Sequence, residues 1–398
     1  KNAAEIVAAA SAIFLMSSFF DITSPHNVFT QFLLHKLKFV KLFFYKYNRR
    51  RNKFLEGGIF VEKYKLIEEK YIDEVASNCK VYTHIKPGAR VLTLSNNDEN
   101  KAFGIGFRTP PEKGNGVCHI VEHCVLSGSR KFRTKEPFMD LIKSSLQTFL
   151  NAMTFPDKTI YPVASRNEKD FYNLMDVYLD AVFYPRIYEE EKIFLQEGWH
   201  YDLKSEDDEL KYNGVVYNEM KGAYSSSENI VADGMSFSLH ENSTYGVDSG
   251  GDPKLIPSLS YEEFKDYHKK YYHPSNSYIY IYGNQDMEKV LDFIDNNYLS
   301  SFEKEEINSE IILNEELKET KEVHMTFSAS KEEMKEKIDY LAKGWTIGYA
   351  NSKLDVFMRD FLAELLIDAE GAPLKKAILK SGLAEDVYSE ISSSLPLD

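Results

Sequence analysis

His119 and His123 stand four residues apart in Cys118-His119-Ile120-Val121-Glu122-His123, with Glu122 between them. On a helix, residues four apart lie on one face, one turn above the other. Two imidazoles so placed can hold one zinc ion at about 2.0–2.1 Å each. Glu122, three residues after His119, borders the same face without being needed as a ligand. From there a carboxylate can take the proton of a zinc-bound water as that water attacks a carbonyl. The order His-x-x-Glu-His reverses the commoner His-Glu-x-x-His and is itself a signature of zinc peptidases. The chain has ten histidines, and the alternative is two unrelated histidines on an ordinary helix.

A catalytic zinc takes three protein ligands and keeps one position open. The best third ligand is Glu219, in Gly214-Val215-Val216-Tyr217-Asn218-Glu219-Met220-Lys221-Gly222. The apolar run before it predicts a buried helix start, where a carboxylate is costly unless paired or metal-bound. A salt bridge to Lys221 would also satisfy it. Glu112, Glu197 and His200 are weaker alternatives, and Gln196-Glu197-Gly198-Trp199-His200 reads as a packed turn.

Positioning such a site takes a framework of helices and strands. Helical periodicity covers roughly Ile120 to Leu126, Phe138 to Leu150, Lys169 to Phe183, Tyr261 to Tyr271 and Met287 to Tyr298. Ile67 to Thr83 reads as a helix followed by a short strand. Val91 to Leu94 and Phe103 to Phe107 read as strands, and the polar run Asn96 to Asn100 between them predicts a hairpin. Tyr278 to Tyr282 is a further strand. The elements intermix without a regular βαβ repeat, so the fold class is α+β. After the charged stretch Glu303 to Lys321, Gly344 to Tyr349 reads as a strand. Leu354, Phe357, Met358, Phe361, Leu362, Leu365 and Leu366 then mark one helix face. The division that follows is 1–53 as an N-terminal extension, 54–302 as the zinc-binding domain, 303–321 as a linker and 322–398 as the opening of a second, incomplete domain.

Composition narrows the function classes. A net charge of −14 over 398 residues argues against nucleic acid as the main partner, because phosphate neutralisation needs a basic surface. Cys79, Cys118 and Cys124 are too few, and odd in number, for a disulfide framework. They contain no Cys-x-x-Cys, and they suit a reducing, cytoplasmic setting. Ala3 to Phe20 is mostly apolar but at the short limit for a membrane span, so no membrane partner is assigned. The basic, aromatic run from His35 to Lys53 reads as a solvated extension or as upstream sequence outside the working protein; the functional alternative is a targeting or membrane-surface segment, with an organelle matrix as the alternative location. The chain begins at Lys1 rather than Met and reads as a fragment or a processed form. Gly104-Ile105-Gly106 lacks the third glycine and helix of a dinucleotide site.

Several segments extend the resemblance beyond the pentapeptide. His119 to His123 followed by Leu126-Ser127-Gly128-Ser129-Arg130 resembles the M16 or pitrilysin family, and within it the presequence-protease branch. Phe149 to Thr154, Asp157 to Pro162, Tyr178 to Phe183, Gly214 to Gly222 and Ser249 to Pro253 are similar to that branch as well. The resemblance runs from about Phe54 to Asp398. It implies a zinc metalloendopeptidase acting on unfolded peptides, with His119, His123 and Glu219 holding one zinc and Glu122 as general base. It also implies that Asn151 and Ala152 lie on the edge strand that receives the peptide backbone. Members of this branch have four related domains in two halves that close a chamber. The implied partner is therefore the C-terminal half, in cis or as a companion chain, without which the fragment is inactive. Tyr212 stands seven residues before Glu219, where other branches carry a supporting carboxylate. The alternative is a non-catalytic M16-like subunit that binds partners. Such relatives usually lose ligands or base, whereas His119, Glu122, His123 and Glu219 are all present.

Overall fold

The computed structural model describes residues 63–390 apart from 136, 314–318, 332–333, 335–338 and 347–352. The expectations for residues 1–53 fall outside that range. Among the described residues no helix is long and apolar enough to cross a membrane. The described residues of 63–312 and 322–341 form one compact unit; those of 313–321 and 342–390 form a second.

The first unit is built on a mixed eight-stranded sheet, in keeping with the α+β expectation. Its strands are β1 (Tyr64–Ile72), β2 (Ser77–His84), β3 (Arg90–Ser95), β4 (Lys101–Arg108), β5 (Gln147–Leu150), β6 (Met153–Thr154), β7 (Lys158–Ser165) and, much later in the chain, Ser277–Gly283. This last strand lies between β3 and β4, parallel to β3 and antiparallel to β4. The order is β1-β2-β3-(277–283)-β4-β7-β5, with β6 also on β7. β3 and β4 therefore do not form the expected hairpin. The Ser277–Gly283 strand has apolar and aromatic side chains on both faces, nearly all buried. A strand of that kind belongs in the middle of a sheet covered on both sides. Only a long-range contact reveals that it separates two neighbours in sequence.

Two further expectations change. Ile67 to Thr83 is an antiparallel pair, not a helix, with one tight turn at Asp73–Val75. β1 is an exposed edge strand, and its Glu68, Glu69 and Lys70 protect that edge while reading as helical in composition. The helix expected over Phe138 to Leu150 stops at Ser144, and Gln147–Leu150 turns into the opposite edge. Ser144 and Ser145 favour local hydrogen bonds over helix continuation.

The helices of this unit, in chain order, are α1 (Val117–Val125), α2 (Pro137–Ser144), α3 (Glu168–Phe183), α4 (Glu191–Glu197), α5 (Val215–Ala223), α6 (Ser227–Leu239), α7 (Tyr261–Tyr271) and α8 (Met287–Asn297). A two-stranded ribbon, β8 (His200–Asp202) with β9 (Lys211–Asn213), joins α4 to α5; the central sheet strand is then β10. α3 is capped by Asn167, whose side chain accepts from the Asp170 N–H. It lays Phe171, Leu174, Met175, Tyr178 and Val182 into the core beside Phe103, Phe107 and Tyr161 of the sheet. Each large side chain buried this fully contributes about 2–3 kcal/mol. α7 begins with a capping box between Ser260 and Glu263, where the pattern predicts a helix.

In the second unit, α9 (Lys353–Ala363) continues as a π-helical turn at Glu364–Asp368, before α10 (Pro373–Ser381). The predicted apolar stripe from Leu354 to Leu366 is helical but exposed. Of the strand expected at Gly344 to Tyr349, 344–346 carry no regular element and the rest is outside the described residues.

Candidate metal centre

α1 owes its position to backbone proximity at its start. Gly116, the N-cap, has φ +70°, and a Cβ there would sit 2.8 Å from the Gly250 carbonyl oxygen. That approach lets the 249–251 loop lie against the first turn of α1. Val117, Cys118, Ile120, Val121, Cys124 and Val125 are all buried, while His119 and His123 emerge on the remaining face. Their ring centroids are 4.9 Å apart.

Glu219 completes the group from α5. Its Oε2 lies 3.7 Å from His119 Nε2 and 3.7 Å from His123 Nε2. Among the described residues, His119, His123 and Glu219 form one set of potential ligands whose donor atoms lie within 4.8 Å of one another. Tetrahedral zinc with bonds of about 2.0–2.1 Å needs its ligand atoms about 3.4 Å apart. Each Glu219–histidine distance is within a few tenths of an ångström of that spacing, and the whole set lies within 4.8 Å, so the three residues fit the ion with a modest contraction. Glu219 is not in the buried setting predicted from the run before it. Val216 is buried, but the Glu219 side chain is 56% exposed, because it emerges on the open side of α5.

The far nitrogens of the two imidazoles support the same assignment. His119 Nδ1 faces the Gly250 carbonyl at 3.3 Å, and His123 Nδ1 faces Glu197 Oε2 at 3.4 Å. Both partners only accept, so each Nδ1 carries its hydrogen and each Nε2 presents its lone pair toward Glu219. Burial works to lower the pKa of His123; the hydrogen bond it donates to Glu197 and the charges of Glu122, Glu197 and Glu219 outweigh it and raise the pKa above the usual imidazole value. A proton and a dication thus compete for this site, as ligation requires neutral imidazole.

Glu122 is 7% exposed. Its Oε2 accepts a 2.8 Å hydrogen bond from Thr154 Oγ1 on β6. Behind it lie the buried phenols of Tyr161, Tyr178 and Tyr272, whose pKa values are raised by burial and further by the charge of Glu122. The alternatives for a third ligand fall elsewhere. Glu112 pairs with Lys270, His200 Nδ1 faces the Leu195 carbonyl at 2.7 Å, and Glu197 stands behind His123. Tyr212 is on β9, so the carboxylate supporting His123 comes from before the β8–β9 ribbon and not from seven residues before Glu219. Thr154 and Gly250 were not singled out from the sequence. Their contacts span 32 and 131 residues, and no local pattern reports them.

Asn151 and Ala152 do lie at the sheet edge, between β5 and β6, but differ in what they offer. The Asn151 N–H donates to the Pro162 carbonyl at 3.2 Å, and its own carbonyl accepts from Tyr178 Oη at 3.1 Å. The Ala152 N–H is covered by Asn151 Oδ1 at 3.0 Å. The three cysteines are free and buried. Burial raises the Cys79 thiol to about 11 and the Cys118 thiol to about 12, which makes them packing residues and not nucleophiles.

The family model described as Insulinase (Peptidase family M16) matches residues 102–215, and Peptidase M16 inactive domain matches 258–397. The pentapeptide of α1 falls inside the first match, and Glu219 lies four residues beyond its end. The chain is similar to Protein HypA of Clostridium perfringens, 51% identical over 86% of the chain and 35% of that protein. It is 44% identical to Presequence protease 1, chloroplastic/mitochondrial, of Arabidopsis thaliana over 82% of the chain and 30% of that protein. It is 38% identical to the mitochondrial presequence protease of Mus musculus over 78% and 30% respectively. The chain spans about a third of the length of these relatives. By both matches and relatives, the chain belongs to the M16 peptidase family and groups with its presequence-protease branch.

Proposed function

We propose that this chain carries the metal centre of a zinc metalloendopeptidase that cleaves unfolded peptides, with His119, His123 and Glu219 as ligands and Glu122 as general base. The observation that carries it is the convergence of Glu219 Oε2 on both imidazole Nε2 atoms, with each Nδ1 already committed to an acceptor. Zinc bound there supplies a Lewis acid that polarises the scissile carbonyl and acidifies water. Glu122 accepts the proton of the attacking water and returns it to the leaving amine. Its burial, with one oxygen held by Thr154, keeps it oriented for both transfers. An extended peptide laid along the β5–β6 edge is read through its main chain, so selectivity is broad in sequence.

The non-catalytic alternative has less support. The match described as inactive begins at residue 258, beyond every residue of the site. The test is zinc content and peptide cleavage of wild type, His119→Ala and Glu122→Gln. The chain is assayed with the C-terminal remainder of the Clostridium perfringens relative joined in cis. His119→Ala is expected to lose zinc. Glu122→Gln is expected to keep it while activity falls at least about a hundredfold. Parallel loss of zinc and activity in Glu122→Gln would make Glu122 a ligand and sink the role assignment.

A further inference from the structure

Pairing with β7 decides which main-chain groups of the outer strand are committed. Asn151 N–H donates to Pro162 and Phe155 N–H to Lys158, at 3.2 and 2.8 Å, and Met153 faces Ile160 in the same register. Bonded and non-bonded pairs alternate along an antiparallel ladder. Asn151, Met153 and Phe155 therefore turn their main chains toward β7, while Ala152 and Thr154 turn theirs to the open edge. Among the described residues no strand pairs there.

Thr154 thus has its main chain on the open edge and its side chain on Glu122. An ionised carboxylate only accepts, so the 2.8 Å contact is a donation from Thr154 Oγ1 to Glu122 Oε2. The nearby phenols are engaged otherwise: Tyr161 with Tyr272 at 2.9 Å, and Tyr178 with the Asn151 carbonyl. Among the described residues, Thr154 is the one side chain hydrogen-bonded to Glu122.

We propose that Thr154 is a positioning residue for Glu122. Its hydroxyl occupies Oε2, leaves Oε1 to accept the proton, and ties the base to the strand on which a peptide main chain adds beside Ala152 and Thr154. Seating the peptide then fixes β6 and, through Thr154, the orientation of Glu122. This rests on the peptidase reading above. The Ala152 N–H becomes available to the peptide when the Asn151 amide swings away.

The test uses Thr154→Val, which keeps the shape and removes the hydroxyl, and Thr154→Ser, which keeps the hydroxyl. In the zinc-free 398-residue chain, a denaturation cycle of Thr154→Val with Glu122→Met is expected to be non-additive by about tenfold or more in the unfolding constant. Zinc content is expected to be unchanged in both Thr154 variants. Joined in cis to the C-terminal remainder of the Clostridium perfringens relative, Thr154→Val is expected to lower kcat by about 10- to 100-fold with KM within about twofold, and Thr154→Ser to recover most of that loss. Additive effects in the cycle, a Ser variant no better than Val, or a change confined to KM would each overturn the proposal. A coupled cycle in a zinc-loaded protein that cleaves nothing would instead sink the peptidase reading and leave the contact structural.

Discussion

Gly214→Ala tests how Glu219 is delivered to the two histidines. Gly214 is the N-cap of α5, with φ +151° and ψ 154°. A Cβ there would lie 2.2 Å from the Gly198 carbonyl oxygen, 2.7 Å from its carbon and 2.9 Å from Trp199 Cα. All three neighbours are backbone, so no side chain can swing aside. Restoring a 3.0 Å approach requires a shift of 3.0 − 2.2 = 0.8 Å. α5 is a rigid turn and a half between Gly214 and Glu219, so the shift passes to the carboxylate. Metal–ligand bonds tolerate about 0.2 Å, and zinc affinity is expected to fall at least about tenfold. The positive φ adds strain to the clash, and together they cost about 2–3 kcal/mol. That corresponds to a fall in melting temperature of about 5–10 °C for a domain of this size. The assay is a chelator competition for zinc beside a thermal melt of the zinc-free chain. The control is Gly222→Ala in the same helix, whose Cβ would meet nothing within 4 Å and which is expected to be neutral or slightly stabilising. If Gly214→Ala matched Gly222→Ala in both measurements, the close approach to Gly198 would not be what places Glu219.

Glu197→Gln keeps the shape behind His123 but exchanges a charged acceptor for a neutral one, and is expected to weaken zinc binding about tenfold while leaving the melt of the zinc-free chain little changed; unchanged affinity would remove Glu197 from the site. Arg130→Met leaves the fully buried Asp180 carboxylate with only the Lys131 N–H at 2.7 Å, and is expected to destabilise by about 3 kcal/mol in denaturant titration; a loss under about 1 kcal/mol would mean that the pair is not needed to hold the segment after α1. His268 is buried, and burial holds its pKa down to about 4 despite the Val182 carbonyl; the unfolded chain takes up a proton near 6.5 and the folded chain does not, so this contribution is complete above that pH and lost as pH falls from about 6.5 to 4, by about 3 kcal/mol. His268→Gln is expected to flatten the stability curve in that window, and parallel curves for variant and wild type would exclude His268 as the source. The 398-residue chain alone is expected to bind zinc yet cleave peptides very poorly, with cleavage returning when the C-terminal remainder of a relative is supplied; efficient cleavage of a folded protein by the chain alone would refute the enclosed-site view.

What the sequence discloses about this site follows from how far its parts lie from one another along the chain. His119, Glu122 and His123 share one turn of one helix, so spacing alone places them on a face. Glu219 was reachable because an acidic residue after an apolar helix start is unusual, though the burial invoked for it belongs to Val216 and not to the carboxylate. The parts that orient the ligands carry no such mark. Gly250 acts through a carbonyl that every residue possesses. Thr154 acts through a hydroxyl that reads as ordinary strand composition. Glu197 sits where the pattern suggests a turn, and its role depends on the β8–β9 ribbon returning the chain so that Gly214 touches Gly198. The same distinction separates the elements found from those missed. α3, α7 and α8 declare themselves because their apolar faces repeat locally. β10 is visible as a strand, but its place between β3 and β4 is a contact across about 170–190 residues. That insertion sets β4 beside it and β7 beyond β4, and carries the β5–β6 edge outward to the side where α1 presents Glu122. His119, Glu122 and His123 are thus a local property of the sequence, while the place of Glu219 beside them and the orientation of Glu122 depend on how the chain folds back on itself.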